Sequence, residues 1–204
     1  TITTMNDGAP AIRLTLRQPL RQDVRQSWLA TVVKAPLLHD VGAAHIRIER
    51  PSPTLPKALQ APGDGVAMSR VMDGWLVDLA LHHTKRAVTL TGVRHVDVQS
   101  IGMSGGQGVT GLDVTASADT RIVGCTLTSH PEVAFLLKGP GGGLVLEQLT
   151  LARGSSQLVI GGNGLHDTVL QQMPTNFNAT LTLGGTCGYA LGRRFTMWGA
   201  GLRR

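Results

Sequence analysis

Aromatic residues are scarce in this chain: three Trp, three Phe and one Tyr make up 3% of 204 residues. Its core must therefore be filled by Val, Leu, Ile and Ala, which suits thin, repetitive β layers. The same scarcity removes the aromatic platforms on which proteins stack single-stranded bases. Cysteine is nearly absent: Cys125 and Cys187 cannot make a disulfide framework and lack metal-ligand spacing, and they leave the redox compartment open. Acidic residues are few, 13 against 19 Lys and Arg, for a formal charge of +6. That balance favours an anionic partner such as an acidic polysaccharide. The excess is spread out, with seven basic and four acidic residues in positions 1–50, so no basic tail argues for nucleic acid and none is expected as a partner. No stretch of about 18 consecutive apolar residues is present, so no membrane span is expected. The opening TITTMNDGAP also lacks the charged start and apolar segment of a secretory leader. The chain reads as one soluble domain, natural in length or cut from something larger.

Repetition is what the chain has in quantity. Leu79, Ile101, Cys125, Leu149 and Met173 follow one another at steps of 22, 24, 24 and 24 residues. In four of these five segments an apolar residue follows two places later, at Leu81, Met103, Leu127 and Leu151, the spacing of inward positions on a strand. A second column, Met68, Leu90, Leu112, Leu136, Ile160 and Leu183, keeps nearly the same step. A third set, Leu76, Val98, Ile122, Leu146 and Leu170, lies three residues before the first. Alternation slips there, so the chain must bend, and each repeat has three faces. Coils of 22–24 residues with short strands and sharp corners predict an all-β fold, a parallel β-helix of five to six coils over 43–185. Residues 1–42 are read as an N-terminal capping segment. Within it, Leu20, Val24, Trp28 and Val32 share one helical face over 18–34; an alternative makes IRLTL a strand and only the later part a helix. Residues 186–204 are read as a C-terminal cap or the start of a further coil. PSPTLPKALQAPGD, with four prolines, is read as a surface loop inserted in the first coil.

The stretch from Ala43 to Gly185, through VDVQSIGM, TRIVGCTL and GLVLEQLTL, resembles the right-handed parallel β-helix of the pectate-lyase-like superfamily. LTLRQPLRQDV, VGAAHIRIERP and GDGVAMSRVMDGWLVDL are similar to the way large carbohydrate-active β-helix proteins enter their first coils. The resemblance implies a polysaccharide lying along the parallel strands of a secreted or cell- or virion-surface protein.

Read outward, the corner between the two main columns collects His83, Gly105, Ser129 and Arg153, then Thr84, Gly106, His130 and Gly154, with Lys85, Arg86, Gln107 and Glu132 nearby. β-Elimination from a uronic acid needs a cation beside the carboxylate to acidify the adjacent C–H, and a base to take the proton. Arg86, Arg153 and Lys85 offer the charge; His83, His130 or Lys85 offers the base. Gln107 and Glu132, with Asp113 on the neighbouring strand, complete the candidate substrate-binding set. The plainer reading makes all of these solvated turn residues. Hydrolysis asks instead for two facing carboxylates, and Asp113 aligns with Leu137 in the next coil, so a hydrolase is less supported than a lyase.

Asp97 with Arg121, and His95 with Asp119, are each 24 residues apart and are expected to stack as pairs on adjacent coils. No carboxylate cluster for a metal is visible, and GPGGG and GGNG lack the ending of a phosphate loop, so neither metal nor cofactor is expected. Cys125 stands in an inward column and reads as core. With Leu112, Leu136 and Ile160 pointing in, Phe135, Leu137 and Val159 point out and form an apolar patch, which calls for a further domain or a second subunit, as in a trimer. The competing function is accordingly a non-catalytic module: an adhesin, a stalk or a phage tail-spike segment.

Overall fold

The structure, a computed structural model, describes residues 36–50, 63–105, 108–129 and 131–151 in full, and the backbone of short strands beyond them. It divides into two compact units, Thr1–Ala35 and Pro36–Arg204. In the first, β1 (Ile2–Thr4) pairs antiparallel with β2 (Ile12–Leu14). The strand reading of IRLTL thus holds over Ile12–Leu14; the helix expected over 18–34 lies outside the described residues.

The second unit is a parallel β-solenoid; no helix occurs among the described residues. In chain order its strands are β3 (Leu38–His39), β4 (Gly42–Glu49), β5 (Val66–Ser69), β6 (Val71–His82), β7 (Arg86–Thr91), β8 (Arg94–Ser104) and β9 (Thr110–Thr115). They continue as β10 (Ala118–Val123), β11 (Thr126–Leu127), β12 (Val133–Lys138), β13 (Gly141–Gly142), β14 (Val145–Glu147) and β15 (Thr150–Leu151). Last come β16 (Gln157–Gly161), β17 (Leu165–His166), β18 (Thr168–Gln171) and β19 (Phe195–Trp198). One sheet stacks β5, β7, β9, β12 and β16; the other winds from β3 and β4 through β6, β8, β10 and β14 to β18 and β19. The expected count of five to six coils runs into positions outside the described residues, and so does most of 186–204, where β19 pairs in parallel with β18. Of the Pro-rich insertion, 51–62 lie outside them as well.

The bends of the winding sheet have a common cause. At two corners of each coil one residue takes the left-handed conformation, and these residues stack in columns set by the strand register. One column holds Asp40, Asp73, His95, Asp119 and Gly143; the other holds His45, Asp78, Ser100, Gly124 and Gln148. Short polar side chains and glycine tolerate positive φ best, and they supply nearly all of these positions. Because each bend uses one residue, strands run through it: β6 passes round both corners without a break. This is the slip in alternation visible in the sequence. Two further corners join the sheets, one at Arg70, Gly92 and Ala116, the other at His83 and Gly105.

The core lies between the sheets. From the winding sheet come the columns Leu76–Val98–Ile122–Leu146, Leu79–Ile101–Cys125–Leu149 and Leu81–Met103–Leu127–Leu151, all buried. Facing them are Val66–Val88–Leu112–Phe135 and Met68–Leu90–Val114–Leu137, in which only Val66 is less than fully buried. Stacking supplies both the hydrogen-bond ladder and this apolar burial, so neighbouring coils stabilise one another. Ser117, buried in line with Val93, accepts from the Val93 amide at 3.3 Å and donates to the Thr115 carbonyl at 2.9 Å. Its burial therefore leaves no orphaned hydroxyl.

The second sheet corrects one expectation. Phe135 and Leu137 are both 0% exposed, and Leu136 stands on the outer side beside Asp113. Leu112 aligns with Phe135 rather than Leu136, and Leu90 with Val114 rather than Leu112. Val159 pairs with Leu136, and its side chain lies outside the described residues. The apolar patch of Phe135, Leu137 and Val159 does not exist in that form, and the case for a subunit or domain packing on it is withdrawn. The physical reason is that VAFLL is apolar at both parities, so alternation cannot fix its facing, and a bulge between Val133 and Phe135 shifts the register toward β16.

Candidate functional site

The corner joining the end of β6 to the start of β7 holds the candidate residues. Parallel pairing places His82 beside Ser104, and the chain then turns through His83 at φ 55° and Gly105 at φ 99°. The two coils approach closely here. The His83 amide donates to the Ser104 carbonyl at 3.0 Å, and a Cβ on Gly105 would lie 2.6 Å from His83 Nδ1. Any side chain at Gly105 would displace the imidazole, so glycine is required both for space and for its backbone conformation. The His82 and His83 rings meet edge to face, centroids 4.0 Å apart at 62°. His82 Nδ1 is hydrogen-bonded to Ser104 Oγ at 2.8 Å.

Lys85 is exposed, and its backbone ties three coils together: its amide donates to the Gly63 carbonyl at 2.9 Å, and its carbonyl accepts from Val109 at 2.7 Å. Arg86 is not available as a free cation. Its Nε donates to both carboxylate oxygens of Asp64 at 3.1 Å, and an Nη donates to Oδ2. This fork geometry is the strongest form of the pair. The guanidinium holds the Asp64 carboxyl below its ordinary value, aided by the charge of Lys85 and opposed by burial. Asp64 raises Arg86 in turn. Arg50 donates to the Asp64 carbonyl at 3.0 Å, so Arg50, Lys85 and Arg86 surround one acid.

Glu132 is exposed, its amide donating to the Gly108 carbonyl at 3.2 Å, on the same flank as Lys85 and Val109. Asp113 sits on the outer face of β9, between Thr89 and Leu136, and accepts from the Thr115 hydroxyl at 2.7 Å. Its aligned neighbour is Leu136 rather than Leu137, so no acid faces it across either adjacent strand. Ser129, expected outside, is 8% exposed. Gln107, His130 and Arg153 lie outside the described residues.

Elsewhere, polar side chains pair from coil to coil. His95 bridges Asp73 at 3.2 Å and Asp119 at 3.6 Å, and His39 lies 3.9 Å from Asp73. His45 meets Asp78 at 2.8 Å. Asp97 and Arg121 are adjacent in register, but Arg121 donates to Glu147 at 3.2 Å rather than to Asp97. His45, Asp73, Asp78, His95 and Asp119 sit on the bends, and exposed pairs of this kind add little to stability. Among the described residues no group of three His, Cys, Asp or Glu converges as a metal site. Cys125 is core, and burial pushes its thiol up to about 11.

Asp64, His82 and Ser104 were missing from the candidate set. The signal that finds them is the coil step: Asp64 and Arg86, and His82 and Ser104, are each 22 residues apart. No family model, no curated protein and no solved structure matches this chain.

Proposed function

We propose that this solenoid is a right-handed β-helix of the pectate-lyase-like kind, exported to the cell or virion surface or beyond, that binds an acidic polysaccharide and cleaves it by β-elimination. The observation that carries the reading is the corner itself: Lys85, exposed, stands two residues from the half-buried imidazole of His83, while Arg86 is tied to Asp64. In this reading Lys85 neutralises the uronate carboxylate and lowers the pKa of the adjacent C–H. His83 takes that proton, the electron pair forms the new C=C bond, and the glycosidic oxygen leaves and is protonated by water. His130, Gln107 and Arg153 belong to the same corner by sequence, and Glu132 and Asp113 flank it as partners for sugar hydroxyls. No cofactor is needed for this chemistry.

The test is an ultraviolet assay for unsaturated uronate with a panel of acidic polysaccharides. The expected result is an absorbance rise that falls at least about a hundredfold in His83→Ala and Lys85→Ala. No rise, and no new reducing ends, would remove the enzymatic reading. A second reading, a non-catalytic stalk, adhesin or spike module, is favoured by one observation: Asp64–Arg86, Asp73–His95–Asp119 and His45–Asp78 pair with one another between coils. A stable trimer inert to every glycan would support it.

A further inference from the structure

His82 and Ser104 form a hydroxyl–imidazole pair that the β-elimination reading does not use. Their hydroxyl–imidazole contact is 2.8 Å, both residues are half-buried rather than sealed, and their relative position is set by parallel register rather than by loop conformation. The His83 ring packs edge to face on the imidazole. The backbone of His82 is fixed by the preceding coil: the Arg50 amide donates to the His82 carbonyl at 3.1 Å, and Glu49 is its neighbour in register. Glu49 is itself held by Arg47 at 2.9 Å. The sequence along this outward line is therefore acid, imidazole, hydroxyl, Thr128, on four successive coils. Beside it runs a line of small residues, Ala80, Gly102 and Thr126.

We infer that Ser104 and His82 are an acyl-transfer dyad that hydrolyses small esters, such as the O-acetyl groups of an acetylated glycan. Ser104 Oγ attacks the acyl carbonyl while His82 Nδ1, unprotonated in the Nε2–H tautomer, takes the hydroxyl proton. The C–O bond to the alcohol breaks, and that oxygen leaves with the proton from His82. Water then attacks the acyl-serine and gives a proton to His82; the acid departs and Ser104 recovers its hydroxyl. The balance needs only ester and water. Nothing in it rests on polysaccharide cleavage by His83 and Lys85.

The experiment treats the full chain with a fluorophosphonate probe and, separately, with 4-nitrophenyl acetate. Expected are one covalent adduct on the peptide carrying Ser104 and turnover of the ester beyond one equivalent. Both should be lost in Ser104→Ala and fall at least about a hundredfold in His82→Gln, which can still bond the hydroxyl but cannot shuttle its proton. Far-ultraviolet circular dichroism and a thermal midpoint confirm that each variant is folded. Absence of an adduct, an adduct away from Ser104, or unchanged labelling in folded His82→Gln would overturn the dyad and leave a cross-coil hydrogen bond. The uronate assay on these two variants separates the proposals: β-elimination persists in Ser104→Ala if only the ester chemistry resides there.

Discussion

The two sheets of the solenoid keep length differently. Along the winding sheet the step is 22 residues from Leu76 to Val98 and 24 from there to Ile122 and to Leu146. Along the opposite sheet it is 22 from Val66 to Val88, then 24 to Leu112 and 23 to Phe135. The difference arises where the sheets meet. Two residues separate His83 from β7, four separate Gly105 from β9, and three separate Ser129 from β12. One-residue left-handed bends cannot change length, whereas this linker can, and Gly139–Pro140 restores the lost residue before β13. Variable linkers on a regular scaffold are where chemistry accumulates, and the His83–Lys85 corner is such a linker.

The largest effect that sharpens this contrast is expected in the variable sheet. Phe135→Ala removes the largest fully buried side chain among the described residues and should cost about 3–5 kcal/mol. Leu136→Ala, one residue away on the outer side, should cost no more than about 1 kcal/mol. Denaturant unfolding of both variants measures the difference, and equal costs would mean that β12 is not held in one register.

A second effect, of roughly 2–3 kcal/mol, is expected in the regular sheet and depends on pH. Burial raises the Cys125 thiol to about 11 in the folded chain, above its unfolded value. Its contribution is therefore complete below about pH 8.5 and is lost as the pH climbs toward 11. Wild type should lose stability over that range relative to Cys125→Val, which carries no ionisable group there. Parallel curves for the two proteins would show that the column is open to water.

The smallest effect concerns the bends. Gln148 and Gly124 occupy the same left-handed corner, at φ 53° and 64°. Gln148→Gly relieves the conformation at the expense of a looser unfolded chain, so a net gain of up to about 1 kcal/mol is expected. Gly124→Ala should lose a similar amount, since an added Cβ meets only Ser100 atoms at 3.9 Å and the penalty is conformational. Thermal midpoints of both read this directly, and identical signs would contradict the corner assignment.

Much of this architecture was legible in the residues because single-residue bends keep inward columns in phase over four coils. Leu79, Ile101, Cys125 and Leu149 are the example, and Cys125 could be assigned to the core before any coordinate. VAFLL was illegible for a complementary reason: with apolar residues on both faces, only the lengths of 105–110 and 129–133 decide which side is buried. The grouping of the candidate residues was legible in part. His83, Lys85, Arg86 and Glu132 fall on one corner flank, yet Arg86 proves to be half of a bidentate pair. Its pairing with Asp64 follows the coil step of 22, the same step that joins His82 to Ser104, and a step of 24 taken from later coils passes over both.

The register of β12 against β9 carries the account, since it decides what the outer face beside Asp113 presents. Alkylation of single cysteines tests it most directly, with Leu136→Cys and Leu137→Cys placed in a Cys125→Val, Cys187→Ser chain under native conditions. Position 136 is expected to react near the rate of a free thiol and position 137 at least about a hundredfold more slowly, through opening of the fold. Rapid labelling at 137 with protection at 136 would contradict it and return Phe135 and Leu137 to the surface.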